Sequence, residues 1–236
     1  MIVFEAAVVT GASSGIGEAV ARELLERGLS VITLQRSVPR FEHPNLHFRQ
    51  VDLSDLGATK TVAAQVAAEF PVRYLVNNAG VNRPALLEDA TIDDLQYVTT
   101  VTLGAAMMLM QAFVPGMRTA KFGRIVSISS RAMLGKTYRT VYSSAKAGLI
   151  GMTRTVAIEV GGDGITVNAV VPGPVARNFS TVAIRRAAPS GRPSSTVFSS
   201  NASARRMISL APCCFFSTTT AVSSPARHCS FAAAPA

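Results

Sequence analysis

The sequence predicts a three-layer α/β fold built on a doubly wound parallel sheet. Short apolar runs alternate with longer amphipathic or Ala-rich segments along residues 1–176. Those runs do not strictly alternate apolar with polar, which implies strands buried on both faces. Strands separated by helices give βαβ units and hence a parallel sheet. The chain's 236 residues match one ordinary domain, large enough to bury a core without disulfides or metals.

The elements follow in order. Ala6–Thr10 is a first strand, and residues 16–27 form a helix closed by Gly28. Residues 30–34 and 46–51 are the next two strands. Leu56–Glu69 reads as a helix that stops before Pro71, and residues 74–77 are a fourth strand. Residues 92–117 are a long helical stretch, expected to be disturbed at Gly104 and Pro115. Residues 124–129 are a fifth strand, 142–160 a helix, and Ile165–Val170 a sixth strand.

Charge is unevenly placed. Residues 177–236 hold seven Arg and no Lys, Asp or Glu, so most of the net charge of +9 lies there. The segment lacks the aromatic interleaving of a nucleic-acid stacking surface, so no nucleic-acid partner is expected. All three Cys (Cys213, Cys214 and Cys229) also fall there, which argues against a disulfide scaffold in the main domain. His43, His47 and His228 form no metal-spaced group, so no metal is expected. No apolar run is read as membrane-spanning, and the N-terminus runs almost directly into a glycine-rich turn, leaving no room for a signal peptide. A cytoplasmic location is the expectation.

That turn is Thr10-Gly11-Ala12-Ser13-Ser14-Gly15-Ile16-Gly17, between the first strand and the first helix. Gly11 permits the tight turn, and Gly15 and Gly17 let backbone and helix approach a pyrophosphate. The helix's amino end offers free N–H groups and the positive end of its dipole. A dinucleotide cradle with Rossmann-type topology is the expectation. A dinucleotide's adenosine ribose falls at the end of the second strand. There an Asp accepts from the two ribose hydroxyls of NAD. This chain has Gln35 and then Arg36. No carboxylate repels a 2′-phosphate and Arg36 can pair with one, which favours NADP over NAD.

The strongest local signal for chemistry is Tyr142-Ser143-Ser144-Ala145-Lys146 at the start of a helix. Tyr and Lys four apart share a helical face. Hydride transfer to a carbonyl leaves charge on oxygen, so a proton donor must stand beside it. A free tyrosine, ionising near pH 10, is a poor base at neutral pH, and a neighbouring ammonium favours its phenolate. The pair lies twelve residues after Ser130, behind the fifth strand.

Together, the spacing Gly11–Gly15–Gly17 after Thr10, the Asn77-Asn78-Ala79-Gly80 turn and the Tyr142/Lys146 pair resemble the short-chain dehydrogenase/reductase family in its classical branch. The resemblance implies an NAD(P)-dependent oxidoreductase acting on a small carbonyl or secondary alcohol. It implies cofactor contacts from Gly11, Ser13, Ser14, Gly15, Ile16, Gly17, Gln35 and Arg36. Asp52 and Leu53 would face the adenine, and Asn78, Ala79 and Gly80 would line the site. Tyr142 would pass the proton, and Lys146 would bind the nicotinamide ribose. Pro172 and Gly173 would close over the nicotinamide amide. Ser130 would orient the substrate oxygen, with Ser129 as runner-up, because the usual gap to the Tyr is one residue longer. The family's catalytic Asn falls on Thr102. A Thr hydroxyl can hold one water but lacks an amide's separate donor and acceptor, so a cofactor-binding but catalytically impaired protein is the alternative. Substrate contacts are expected from Arg83, Met133, Leu134, Gly135 and the region after Pro174.

The resemblance ends near Ala176. Residues 177–236 show no convincing period and fit no familiar low-complexity class. Reading each triplet one nucleotide earlier, with permitted codon choices, turns residues 223–231 into FITGQTLFV, which resembles the family's final strand. It also restores the Thr that the family places after this position. The segment therefore reads as an out-of-frame translation, with a divergent natural tail as the alternative. On that reading residues 1–176 are the oxidoreductase domain. Residues 177–236 are an aberrant, disordered tail, and the sheet lacks its usual last helix and strand. A homodimer or homotetramer is the expectation for a frame-restored chain and is doubtful for this one.

Overall fold

The computed structural model describes residues 5–173. Six strands pair in parallel in the order β3-β2-β1-β4-β5-β6: β1 Ala6–Thr10, β2 Ser30–Gln35, β3 Leu46–Gln50, β4 Val72–Asn77, β5 Gly123–Ile128 and β6 Ile165–Val170. The expected doubly wound sheet is present, and among the described residues it has no strand beyond β6. Five helices alternate with the strands: α1 Gly15–Glu26, α2 Leu56–Glu69, α3 Ile92–Thr99, α4 Ala105–Thr119 and α5 Thr140–Val160.

The strands form because buried, β-branched residues sit on both faces. Val8, Ile32, Leu75 and Ile125 pack on one side with Leu109, Phe113 and Met117 of α4 and with Ala63 and Val66 of α2. Val9, Val31, Val76 and Val126 pack on the other with Ala21, Leu24 and Leu25 of α1. Each face buries several aliphatic side chains, worth about 1.5–3 kcal/mol apiece. Capping sets the helix starts: Asp55 accepts from the Ala58 amide before α2, and Thr91 accepts from the Asp94 amide before α3. Gly28, at φ +83°, closes the turn after α1.

The disturbance expected at Gly104 takes the form of a π-helical turn, Thr100–Gly104, that joins α3 to α4. A Cβ on Gly104 would stand 3.1 Å from the Leu56 side chain, so the glycine lets α2 pack closely rather than ending the helix. Nor does Pro115 stop α4, which runs on to Thr119. The proline removes one backbone donor, while Phe113, Val114 and Met117 around it are buried and hold the segment to the sheet. By length and composition the continuous helix Ile92–Thr119 could cross a bilayer, contrary to the sequence expectation. Half of its apolar window is buried, as befits a core helix lying against α2 and α5.

The chain order reverses between β1 and β4. In an open α/β sheet the crevice beyond the strands' carboxyl ends at such a point is where a ligand binds. The sequence-predicted site residues cluster there.

Candidate active site

The β1–α1 loop builds one side of the crevice. Gly11 and Gly15 adopt φ of +65° and +64°, a region that disfavours side chains. A Cβ on Gly17 would collide with the Gly11 carbonyl and the Asn78 amide. Ser14, just before α1, makes no side-chain capping bond. The amino-end N–H groups of α1 are therefore left for an anion.

Thr10 and Asn78 lock this loop to β4. Thr10 Oγ1 accepts from the amides of Asn78 and Ala79, each at 2.9 Å. Asn78 Nδ2 donates to the carbonyls of Thr10 and Gly11 at 2.9 and 3.0 Å. The second Asn of the Asn-Asn-Ala-Gly turn thus ties the first strand to the fourth, one crossover apart.

A cavity of about 430 Å³ opens above the loop. Gly11, Ser13, Ser14, Gly15 and Ile16 line it on the loop side, and Gln35, Arg36, Asp52 and Leu53 line its far end. Asn78, Ala79 and Gly80 form its floor beside Ser130, Tyr142, Lys146, Pro172 and Gly173. Two predicted residues do not line it. Gly17 sits beneath the loop, packed on Gly11 and Asn78, so its smallness serves loop closure rather than ligand contact. Thr102 lies in the π-helical turn, 2% exposed, with Oγ1 lacking any hydrogen-bond partner. Met133, Leu134, Gly135 and Arg83 are likewise outside the lining. The region after Pro174 lies outside the described residues.

At the adenosine end Gln35 is buried. Its Nε2 donates to the Ser37 carbonyl at 2.8 Å, while Oε1 has no partner. Arg36 stands 3.8 Å from Asp52, both largely exposed. Asp52 accepts from the amide and hydroxyl of Ser54, at 2.9 and 2.7 Å, and these bonds hold its carboxyl below the usual range.

At the chemical end Lys146 is 2% exposed and its Nζ donates to the Ile128 carbonyl at 2.7 Å. Burial pushes its pKa down to about 8. The ammonium lies 5.8 Å from the centre of the Tyr142 ring. A Cβ on Gly80 would stand 3.1 Å from it, so the glycine clears its space. The two serines separate clearly. Ser129 Oγ donates to the Lys146 carbonyl at 2.8 Å and is 2% exposed. Ser130 is half-buried, its Oγ accepting only from the Ala132 amide at 3.2 Å.

Sequence reasoning missed Leu34, Val51, Val81, Tyr97 and Val101, which also line the cavity. Leu34 and Val51 flank the carboxyl ends of β2 and β3, where the switch-point rule puts a ligand, so position along the strand was a usable signal. Tyr97 lies in α3 just before the π-helical turn and Val101 within it. No pattern in residues 92–104 marks that turn.

A short chain dehydrogenase family profile matches residues 5–186. A (2S)-[(R)-hydroxy(phenyl)methyl]succinyl-CoA dehydrogenase subunit from Thauera aromatica, BbsD, is 37% identical over 177 residues, covering 71% of each chain. A 3-oxoacyl-[acyl-carrier-protein] reductase, FabG, from Salmonella typhimurium is 36% identical over 175 residues, covering 71% of this chain and 72% of its own. The crystal structure of a 3-oxoacyl (acyl-carrier-protein) reductase from Agrobacterium tumefaciens with NADP bound superimposes with a TM-score of 0.67 at 30% identity. It covers 74% of this chain and 71% of that one. The glycine cradle, the locked turn and the Tyr–Lys helix are therefore those of a family of NAD(P)-dependent oxidoreductases: this chain belongs to the short-chain dehydrogenase family.

Proposed function

We propose that this protein interconverts a small carbonyl compound and its secondary alcohol with NADP(H), using Ser130, Tyr142 and Lys146. The observation that carries the reading is a single cavity that joins the α1 amino end to these three side chains. The cofactor supplies or accepts the hydride when bound. The free N–H groups of α1 and the loop from Gly11 to Ile16 hold its phosphates. Ser130 Oγ, which has little else to bond, anchors the substrate oxygen. Tyr142 delivers or removes the proton at that oxygen. Lys146, its ammonium 5.8 Å from the centre of the Tyr142 ring, stands beside that proton transfer. Ser129 is spent on the backbone of α5, which leaves Ser130 as the available hydroxyl.

NADP is preferred because the end of β2 carries no carboxylate and Arg36 lines the cavity with only a long, exposed ion pair to give up. Replacing Tyr142 by Phe tests the reading. Carbonyl reduction should fall at least about 100-fold, the order of a general acid's contribution, while NADPH titrates as before. Equal slow turnover by both proteins rules the reading out.

One observation favours a second reading, an impaired enzyme: the Thr102 hydroxyl is buried without a partner where relatives are expected to carry an amide. We also infer that residues 177–236 are translated out of frame. Sequencing the coding DNA across the Ala176 codon decides it, since an intact reading frame with no missing base ends the idea.

A further inference from the structure

The segment between Ser130 and Tyr142, whose residues 131–141 lie outside the cavity lining, carries an unbalanced charge that the hydride chemistry does not use. It contains Arg131, Lys136 and Arg139 and no acidic residue. Arg131 directly follows Ser130, its amide donates to the Pro172 carbonyl at 3.1 Å, and its side chain lies against Gly173. Arg139 is half-buried, and its guanidinium carbon stands 5.8 Å from the centre of the Tyr142 ring. The two arginines thus flank the reaction site, one beside each of Ser130 and Tyr142.

Among the described residues neither guanidinium has a carboxylate within ion-pairing distance, and neither side chain donates a hydrogen bond to a protein acceptor. Their neighbour is different. Arg83, brought close by the pairing of Ala85 with Arg139, lies over Tyr97 and 3.8 Å from Asp94. None of the acids of that neighbouring segment, Glu88, Asp89, Asp93 and Asp94, forms an ion pair with Arg131 or Arg139. A guanidinium offers a planar fork of donors suited to two oxygens of one anion.

We propose that the substrate carries an anionic group close to its reacting carbonyl, and that Arg139 and Arg131 select it by receiving that group. The inference rests on the oxidoreductase reading for the position of the carbonyl. The anion is a carboxylate of the substrate itself, because a thioester carrier's phosphate lies a pantetheine arm away from the carbonyl and cannot reach the same fork.

The test uses the full chain with NADPH and ligand-observed NMR. Acetoacetate is compared with its neutral methyl ester, and acetoacetyl-CoA with acetoacetyl-N-acetylcysteamine. Acetoacetate should bind about tenfold or more tightly than its ester, as charged hydrogen bonds of about 1.5–3 kcal/mol imply. The thioester pair is the contrast, since the CoA phosphates lie far from the carbonyl, and a preference confined to it overturns the proposal. Arg139→Met or Arg131→Met should bring the two members towards parity, and Arg139→Lys should keep part of the difference. Equal binding within both pairs, no binding at all, or a preference that survives both Met substitutions overturns the proposal. Turnover of the neutral methyl ester is read separately. If it is absent while charge selection persists, the oxidoreductase reading fails and the anion site stands.

Discussion

Lys146 shows how a site residue acts against the fold that holds it. Burial lowers its pKa from 10.5 to about 8. In the unfolded chain the side chain stays protonated up to its ordinary value, so between about pH 8 and 10.5 the unfolded state binds more protons. Stability therefore rises with pH across that window, and the penalty is fully present below it. A shift of this size corresponds to about 3 kcal/mol, offset by about 1 kcal/mol for the bond to the Ile128 carbonyl. Lys146→Met should therefore unfold at higher urea than the parent at pH 7, with the gap closing towards pH 10, while turnover is lost. A variant less stable at pH 7, or a gap independent of pH, contradicts this. Tyr142 and Lys146 were legible in the sequence because a spacing of four fixes their shared helical face. The bond from Lys146 to Ile128 was not, since it depends on how α5 lies over β5. Gly17 was legible as a required glycine but misread in purpose, because its neighbour is Asn78, which lies 61 positions away.

At the scale of elements, the strands and helices were read nearly to the residue, because burial on both faces gives the strands a dense apolar signature. The disturbance expected at Gly104 is a π-helical turn, Thr100–Gly104, a form that the sequence does not mark. Such turns recur at functional sites, and this one carries Thr102 beside Gly80, whose Cβ would lie 4.0 Å from Thr102 Oγ1. A buried hydroxyl with no protein partner is either a cost to the fold or a seat for water. Replacing Thr102 by Val keeps the shape and removes only the hydroxyl, so stability should change by no more than about 1 kcal/mol. If the hydroxyl holds a water that serves Lys146, turnover should drop several-fold with substrate KM unchanged. Thr102→Asn, which restores an amide's donor and acceptor, should raise turnover above the parent. Steady-state kinetics and urea titration of the two variants are the measurements. An unchanged turnover in both would remove Thr102 from the chemistry.

For the whole molecule, the order of strands explains both why the site exists and where the chain is exposed. The reversal between β1 and β4 opens the crevice, and β5, buried at every position, is shielded by its two neighbours. In β6, Thr166 is exposed and Asn168, Ala169 and Val170 are only half-buried. Its outer backbone groups are unmatched by any strand among the described residues, and such an edge invites pairing with another chain. The sheet's cover is also uneven, with α2, α4 and α5 on one face and, among the described residues, α1 as the one helix on the other. Adding the base that the proposed frame lacks, after the Ala176 codon, would supply a segment reading FITGQTLFV to pair with β6. Expressed side by side, the restored chain should run as a dimer or tetramer in light scattering. It should melt in one cooperative transition and reduce carbonyl compounds with NADPH. The chain as given should aggregate as concentration rises and turn over measurably, but more slowly than the restored chain. If the two match in solubility, thermal midpoint and activity, the edge of β6 needs no seventh strand, and residues 177–236 belong to a working protein as they are written.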